Sequence, residues 1–238
     1  MRAVVVGLAR KIIEKELPKY GFKLDKKNPD IVISFGGDGS ALYGERTYPG
    51  VPRIMIKHSK VCQKCKLRTY DFSKVLSKLK EKKYKIVEEI KVEGIVNKDS
   101  KKKLIGLNEI GIHHGIPTKA IRLMLKVNGK IIENQVIGDG LLVATPYGST
   151  GYFYSISRKK FSKGLGIAFN NSVNINRKNV IVNDNSMIEV KILRGKGLMT
   201  ADENEKMIPL KIGDTITIRK SKGKARIIEL EKKRRIRV

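Results

Sequence analysis

Residues 34–42 read SFGGDGSAL, an apolar run followed by three glycines around one aspartate. Such a turn between a strand and a helix leaves backbone N–H groups available to phosphate oxygens. Glycines favour it because they adopt left-handed dihedrals and let a ligand approach the backbone. The carboxylate of Asp38 could hold a magnesium ion or accept a proton from an attacking hydroxyl. The alternative is a structural turn in which Asp38 caps a helix that begins at about Ser40. The glycines of this turn are Gly36, Gly37 and Gly39.

Two further motifs carry polar groups suited to a nucleotide. Residues 138–152 read GDGLLVATPYGSTGY, a strand followed by small hydroxyl residues and a tyrosine. Such a loop offers hydroxyls and N–H groups to phosphate or ribose, and Tyr152 can stack or form a hydrogen bond. Asn108 and Glu109 place an amide beside a carboxylate, which suits ribose hydroxyls or a carboxamide. Taken alone, that pair is more typical of an ordinary protein surface.

In this order and spacing, the three motifs resemble those of the NAD kinase family, the ATP- or polyphosphate-dependent NAD kinases. The GGDG motif is shared with diacylglycerol, sphingosine and phosphofructokinase-type kinases, whereas the cluster at 138–152 is nearly specific. The resemblance covers residues 31–155. It implies transfer of a phosphoryl group from ATP or polyphosphate to the 2′-hydroxyl of the adenosine ribose of NAD, which makes NADP.

The resemblance also implies roles for individual residues. Asp38 is the expected catalytic residue, and the three glycines of its turn are expected to bind the donor phosphates. Mg²⁺, or another divalent cation, is expected to be held by the substrate phosphates and by Asp38 rather than by structural protein ligands. Asp139 matches an aspartate that in this family often reaches a dinucleotide across a subunit boundary, so a homodimer or homotetramer is expected. The residues expected to bind NAD are Asp38, Gly39, Asn108, Glu109, Asp139, Thr150, Gly151, Tyr152 and Ser155.

The sequence departs from the family pattern at several positions. Tyr147 stands where the family usually has Thr or Ser, and Gly151 where it usually has Ala. After Tyr152 the chain continues FYSISRKKFSKG instead of the Gly-Gly-Pro segment that shapes the donor side. Near the end of the chain an aspartate, Asp202, is kept, but Glu203 replaces the glycine that usually follows it. These differences suggest a distant branch or an altered substrate preference on the same fold.

Two kinds of secondary structure divide the chain. Strands alternate with helices over the first 85 or so residues, including an amphipathic helix at 72–84, which predicts a mainly parallel sheet covered by helices. From about residue 86, strand-like runs follow one another, which predicts sheets packed face to face. We therefore expect a Rossmann-like α/β domain at 1–88 followed by a β-sandwich domain at 89–238.

The charge and the hydropathy of the chain indicate which partners and which cellular compartment to expect. The chain carries 51 Lys and Arg against 23 Asp and Glu, a net charge of +28, which favours anionic partners. A basic nucleic-acid-binding protein on a kinase scaffold is one alternative, but only 6% of residues are aromatic and none is tryptophan. A lipid or sugar kinase is the other, although it leaves residues 138–152 unexplained. No apolar stretch approaches a membrane span and no signal peptide is present, so we expect a cytosolic protein.

Two remaining features do not belong to these motifs. Cys62 and Cys65 form half of a zinc site, which His58, His113 and His114 could complete, but a reduced thiol pair or a local disulfide is favoured. Residues 219–238 hold ten Lys or Arg and two Glu. This tail is interpreted as a solvated edge strand and tail. The alternatives are an arm that contacts an acidic partner or a neighbouring subunit, or a segment that returns to the first domain.

Overall fold

The computed structural model describes residues 1–58, 67–68, 72–176 and 178–230. The chain forms two compact units. Unit 1 contains residues 1–89 and the stretch from Lys224 onward, and unit 2 is Ile90–Gly223. The predictions about Cys62, Cys65 and the last eight residues of the basic tail lie outside the described residues.

Unit 1 is built on a parallel sheet. Strand β2 pairs with β1, β1 with β3, and β3 with β4, all in parallel. The outer edge of β4 pairs with β5 and with the last part of β17. The β-branched, apolar β1 and β3 are buried on both faces, as parallel strands covered by helices are. The elements are β1 Arg2–Val6, α1 Arg10–Glu16, β2 Lys23–Leu24, β3 Ile31–Gly36, α2 Asp38–Thr47, β4 Arg53–Lys57, β5 Leu67–Arg68 and α3 Phe72–Lys80.

Helices cover both faces of this sheet. Helices α1 and α3 contribute Ile13, Leu76 and Leu79 to a core that contains the odd-numbered residues of β1 and β3. Helix α2 lies against the opposite face, because an added Cβ at Gly44 would touch Val32. The sequence predicted this alternation, although α3 ends at Lys80 rather than at residue 84.

Unit 2 is a β-sandwich. One sheet has the antiparallel order β13–β12–β11–β8–β15–β16. The other contains β10–β9–β14–β17, with β6 paired to β17 and β7. The strands are β6 Tyr84–Val96, β7 Lys103–Gly106, β8 Glu109–His114, β9 Ile121–Val127, β10 Lys130–Gly138, β11 Gly140–Ala144, β12 Leu165–Asn170, β13 Asn179–Val182, β14 Ile188–Arg194, β15 Gly197–Ala201, β16 Ile208–Leu210 and β17 Thr215–Leu230.

The inner faces of the two sheets form one apolar core, which includes Ile110, Leu141, Val190 and Ile216. The predicted fold class, an α/β unit followed by a β-sandwich, is therefore confirmed. The sequence analysis missed a 3₁₀ turn at Gly148–Thr150 and the short helix α4, Tyr152–Ser157. No helix in the described part of the chain is long and apolar enough to cross a membrane.

Candidate active site

The GGDG turn lies where the sheet of unit 1 reverses its strand order. From β1 the chain passes to β2 on one side, and then to β3 on the other. The carboxyl ends of β1 and β3 are therefore neighbours at a topological switch point, where open α/β sheets bind ligands. Gly7 follows β1 there, and Gly36, Gly37 and Asp38 end β3 and begin α2.

At one glycine of this turn, a close contact disfavours a side chain, whereas the predicted left-handed dihedrals are not observed. None of Gly36, Gly37 and Gly39 has a positive φ, so the expectation of left-handed dihedrals is wrong for them. Gly37 is extended, with φ −113° and ψ −164°. Close packing explains Gly36 instead, because an added Cβ would collide with the Ser40 hydroxyl. The left-handed glycine of this site is Gly7, with φ +119°, and a Cβ there would collide with the Phe35 carbonyl oxygen.

Asp38 is the first residue of α2, and Gly37 is its N-cap. The alternative in which Asp38 caps a helix that starts at Ser40 is therefore wrong. Its carboxylate belongs to the first turn of the helix, at the positive end of the helix dipole, a position that suits negatively charged groups. Gly39 and Ser40 follow in the same turn, so the phosphate-binding candidates and Asp38 share one short backbone segment.

A buried ion pair, which the sequence analysis missed, holds α2 in place. The Arg53 guanidinium is completely buried, bonds the Glu45 carboxylate and donates to the Ala41 carbonyl at 3.2 Å. Glu45 in turn accepts a hydrogen bond from the Gly50 N–H at 3.3 Å. Buried charges are tolerated only when paired, so this network ties α2 firmly to β4. In the sequence both residues are ordinary charged positions, and no local pattern signals their burial.

In unit 2, the outer face of β8 lies beside Asn108, Thr150 and Tyr152, and the surface that these residues share is called the groove. Ile110 and Ile112 point into the sandwich core, so Glu109, Gly111 and His113 alternate onto the opposite face. Gly111 keeps the middle of this face low, because an added Cβ would collide with the His113 ring and lie 2.7 Å from the Thr200 hydroxyl.

The loop after β11 is fixed against the Asn108–Glu109 pair. The buried Thr145 donates its hydroxyl to the Leu107 carbonyl at 2.6 Å, and its N–H to the Asn108 carbonyl at 2.8 Å. Gly148 packs so closely on Asn108 that an added Cβ would collide with its carbonyl oxygen. At Gly151 an added Cβ would make only ordinary contacts of 3.4 and 3.6 Å, so the alanine usual in the family would fit here.

Asp202 positions the same pair from the other side. Its carboxylate accepts three backbone N–H bonds, from Leu107 at 2.8 Å, Asn108 at 2.7 Å and Glu109 at 3.1 Å. The sequence analysis noted Asp202 only as a retained aspartate and gave it no role. Its place as a backbone acceptor could not be read from the sequence, because 93 to 95 residues separate it from its partners.

Tyr152 forms one wall of the groove. Its ring stacks on His113, with centroids 5.9 Å apart and planes at 8°, and its hydroxyl accepts a hydrogen bond from the Asn170 amide at 3.0 Å. Burial raises the pKa of the Tyr152 hydroxyl above its ordinary value. Burial also lowers the pKa of His113, and the neighbouring His114 lowers it further. Both groups are therefore favoured in their neutral forms.

Asp139 lies at the far end of the groove. Its backbone carbonyl accepts the His114 N–H at 2.9 Å, and its carboxylate accepts a hydrogen bond from the Asn171 amide at 3.2 Å. The His114 Nδ1 atom is 3.4 Å from the carboxylate but is not aligned for a hydrogen bond. Asp139 is thus held by its neighbours and keeps a partly exposed carboxylate.

Two of the predicted residues carry buried polar atoms that are not satisfied. Asn108 Oδ1 and Thr150 Oγ1 have no hydrogen-bond partner within the described ranges. Buried polar atoms normally have partners, and the exceptions call for an explanation such as an absent ligand. Ser155 differs, because its hydroxyl bonds the Tyr152 carbonyl at 2.7 Å within α4. Asn108, Glu109, Asp139, Thr150, Gly151 and Tyr152 therefore surround the groove, and Ser155 stands on the helix beside it.

No three His, Cys, Asp or Glu side chains in the part of the chain described converge as metal ligands. Mg²⁺ usually keeps several waters and binds through one or two carboxylates plus substrate phosphates. Asp38, in a turn with backbone N–H groups, fits that mode of binding.

The chain belongs to a class of two-domain phosphotransferases, as its fold and motifs indicate. Residues 107–230 match the family described as the ATP-NAD kinase C-terminal domain. The chain is 29% identical over 226 residues to the NAD kinase of Sulfurisphaera tokodaii, covering 92% of this chain and 88% of that protein. It is 30% identical over 210 residues to the NAD kinase of Thermococcus gammatolerans, covering 86% and 75%. The chain therefore belongs to the NAD kinase family.

Solved structures agree with this assignment. The crystal structure of an NAD kinase from Archaeoglobus fulgidus in complex with ATP matches with a TM-score of 0.82 and 25% identity, covering 97% of this chain and 94% of that chain. Yeast NADH kinase complexed with NADH matches in fold, with a TM-score of 0.83, 14% identity and coverage of 98% and 84%. The family resemblance inferred from three sequence motifs is confirmed.

Proposed function

We propose that this chain is an NAD kinase, which transfers a phosphoryl group from ATP or polyphosphate to the 2′-hydroxyl of the adenosine ribose of NAD. The observation that carries the proposal is the groove of unit 2. It brings Asn108, Thr150 and Tyr152 to one face of the sandwich, and among the residues that the structure describes, Asn108 Oδ1 and Thr150 Oγ1 have no hydrogen-bond partner. The hydroxyls and the carboxamide of a dinucleotide would satisfy them. Membership of the NAD kinase family supports the same activity.

Binding of NAD would follow from the chemistry of the groove. The Asn108 amide and the Glu109 carboxylate suit ribose hydroxyls or the carboxamide, since both need a donor and an acceptor. The Tyr152 ring, already stacked on His113, offers an apolar surface to a base or a nicotinamide ring. Asp139 adds an acceptor at the far end. Thr150, Gly151 and Ser155 complete the proposed set.

The chemical step would depend on Asp38. As the ribose O2′ attacks, an O2′–phosphorus bond forms, and the bond from phosphorus to the donor's bridging oxygen breaks. The Asp38 carboxylate accepts the hydroxyl proton, which later passes to solvent. Backbone N–H groups of the glycine turn would neutralise charge on the phosphoryl oxygens. Asp38 and the donor phosphates would hold a divalent cation, which would supply further charge neutralisation.

The alternatives explain less of the molecule. A lipid or sugar kinase would use the GGDG turn but not the groove built by residues 107–114 and 138–152. A nucleic-acid-binding protein would use the charge of +28 but would need neither Asp38 nor the Asn108–Glu109 pair. A cytosolic location and a homo-oligomer stay predictions.

The test is an assay for NADP after incubation of the purified protein with NAD, Mg²⁺ and either ATP or polyphosphate. We expect NADP with at least one donor. Asp38→Asn should reduce turnover by about 10²-fold or more, the range for a lost general base, and leave NAD binding within twofold. Asp99→Asn, in a surface turn of unit 2, is the control. Tight RNA binding without any NADP would contradict the proposal.

A further inference from the structure

A basic loop, residues 158–163, connects α4 to β12 in unit 2. It belongs to a stretch, residues 140–183, that contains six Lys and Arg and neither Asp nor Glu. The loop carries four of these cations, and all four are exposed: Arg158, Lys159, Lys160 and Lys163. No carboxylate in the described ranges forms an ion pair with any of them. Such a concentration of positive charge favours an anionic ligand, because opposite charge would relieve its self-repulsion.

The backbone of the basic loop is held in place by the elements on either side of it. The Ser157 hydroxyl accepts a hydrogen bond from the Lys159 N–H at 3.1 Å. In the middle of the loop, the Phe161 ring packs edge-on against Phe153, with centroids 4.9 Å apart. Gly166 leaves room for the Phe161 ring, because an added Cβ would collide with it. The cations therefore project from a defined backbone.

Tyr154 places an aromatic ring among these charges. The residue is 37% exposed and lies on the solvent side of α4, whose buried residues are Phe153 and Ser157. The Lys160 Nζ atom lies 5.2 Å and the Arg158 guanidinium 6.0 Å from the centroid of the Tyr154 ring. Bases of single-stranded nucleic acids stack on exposed aromatic rings, while neighbouring cations neutralise the backbone phosphates. Tyr154 and its two cations bring both kinds of group together.

We propose that Tyr154 and the basic loop form a binding site for single-stranded nucleic acid, a second function that goes beyond the proposed kinase activity and does not depend on it. One base stacks on the Tyr154 ring, and the loop cations bind the phosphates on either side of that base. Aromatic residues are few in the whole chain, but residues 152–163, which read YFYSISRKKFSK, combine four of them with four cations.

Other anionic partners fit this surface less well. A membrane surface needs large apolar side chains that insert beside the cations, but the exposed residues of the basic loop are Lys, Arg and Ser. An acidic peptide would use the charge, but the electronegative face of the Tyr154 ring disfavours carboxylates. Double-stranded nucleic acid offers no free base faces, whereas the unstacked bases of a single strand can lie on an aromatic ring.

The stacking is tested by fluorescence anisotropy of a labelled oligouridylate of about 12 nucleotides, titrated with the full chain. Tyr154→Ala should weaken binding about tenfold, the effect of losing one stacked base. Tyr154→Phe keeps the ring and should bind within about twofold of wild type. Poly-glutamate, which carries charge but no bases, should bind equally to wild type and to Tyr154→Ala.

The role of the loop cations is tested with variants of equal charge, because a chain of charge +28 also attracts nucleic acid elsewhere. Lys160→Gln/Lys163→Gln removes two cations of the basic loop. Lys101→Gln/Lys103→Gln, the matched control, removes two exposed lysines near the start of β7 in the same unit. The first variant should reduce the slope of log affinity against log salt by about 1.4, since each lost phosphate contact of a single strand accounts for about 0.7. The control should leave the slope unchanged.

Each outcome supports or overturns the assignment. Binding that Tyr154→Ala leaves unchanged, or that both double variants weaken equally, would overturn it. A change in the kinetic constants for NADP formation in Tyr154→Ala would place the ring in the kinase site, and the proposal would be wrong. Competition by poly-glutamate as strong as that by unlabelled oligouridylate would also contradict it. Failure of the proposed kinase activity is distinguishable, because wild-type protein would then form no NADP, whatever the titrations show.

Discussion

The substitution Asp202→Asn tests the role of the Asp202 carboxylate. This carboxylate accepts hydrogen bonds from the backbone N–H groups of Leu107, Asn108 and Glu109, and these three bonds are called the clamp. Asparagine keeps the size of the side chain and tolerates the positive φ of 48° at this position. The remaining Oδ1 can still accept from Asn108 and Glu109. The new amide group, however, faces the Leu107 N–H, which the lost oxygen had accepted at 2.8 Å.

The expected effect follows from that geometry. One hydrogen bond to a charged acceptor is lost, and two donors face each other, which should cost about 1.5–3 kcal/mol locally. The Leu107 amide should then exchange with solvent at least about tenfold faster, since 1.4 kcal/mol corresponds to a factor of ten. The groove residues that follow Leu107 lose their support, so the KM for NAD should rise several-fold.

Amide hydrogen exchange and steady-state assays of NADP formation test this together. Asp184→Asn is the control, because Asp184 pairs with Lys220 at the surface of the same unit and contributes about 0–1 kcal/mol. Unchanged exchange at Leu107 would refute the clamp. Faster exchange with an unchanged KM for NAD would show that the clamp stabilises the segment without positioning the site.

Three further predictions follow from buried or crowded positions. Arg53→Met should lower the free energy of unfolding by about 3–5 kcal/mol, because it leaves the Glu45 carboxylate buried without its cationic partner. In thermal unfolding, the double variant Arg53→Met/Glu45→Leu should recover most of that loss, and no recovery would contradict the pairing. Gly148→Ala should raise the KM for NAD through its collision with a carbonyl of the asparagine–glutamate pair, whereas Gly151→Ala, which has room, should not; equal effects would refute the packing argument. The pKa of His113 is lowered in the folded state, so below pH 6.5 the unfolded chain binds the proton more readily and the stability of the fold decreases as pH decreases. The melting temperature of His113→Gln should therefore depend less on pH between 7.5 and 5.5 than that of the wild type. Parallel melting profiles of the two proteins would show that His113 does not contribute to this pH dependence.

The sequence predicted those parts of the molecule that depend on local patterns. The alternation of apolar runs and helical spacing predicted the α/β unit, and the runs after residue 86 predicted the sandwich. The GGDG turn was placed correctly between a strand and a helix, because glycines after a β-branched run end a strand. Asn108 and Glu109 were placed correctly at the start of a strand.

The sequence could not predict features that arise from contacts between distant segments. The glycines of the turn were expected to be left-handed, but Gly36 is explained by its packing on Ser40, which appears only once the helix is built. The helix that begins at Tyr152 was missed because its six residues are too few to show a helical period. Arg53 and Asp202 were missed because their partners are set by tertiary packing, and charged residues give no local signal of burial.

The last strand of the chain has a consequence for synthesis. Strand β17 leaves unit 2 at Gly223, and its end joins unit 1, where Ile227 pairs with Arg53 and Ile228 enters the core. Domains usually fold from the N-terminus as they emerge from the ribosome. Here the sheet that residues 1–89 build gains its last strand only from residues that are translated after the whole of Ile90–Gly223. Unit 2, although second in the sequence, can be completed first, and a nascent chain halted at Gly223 would carry an unfinished sheet edge where β4 awaits its neighbour.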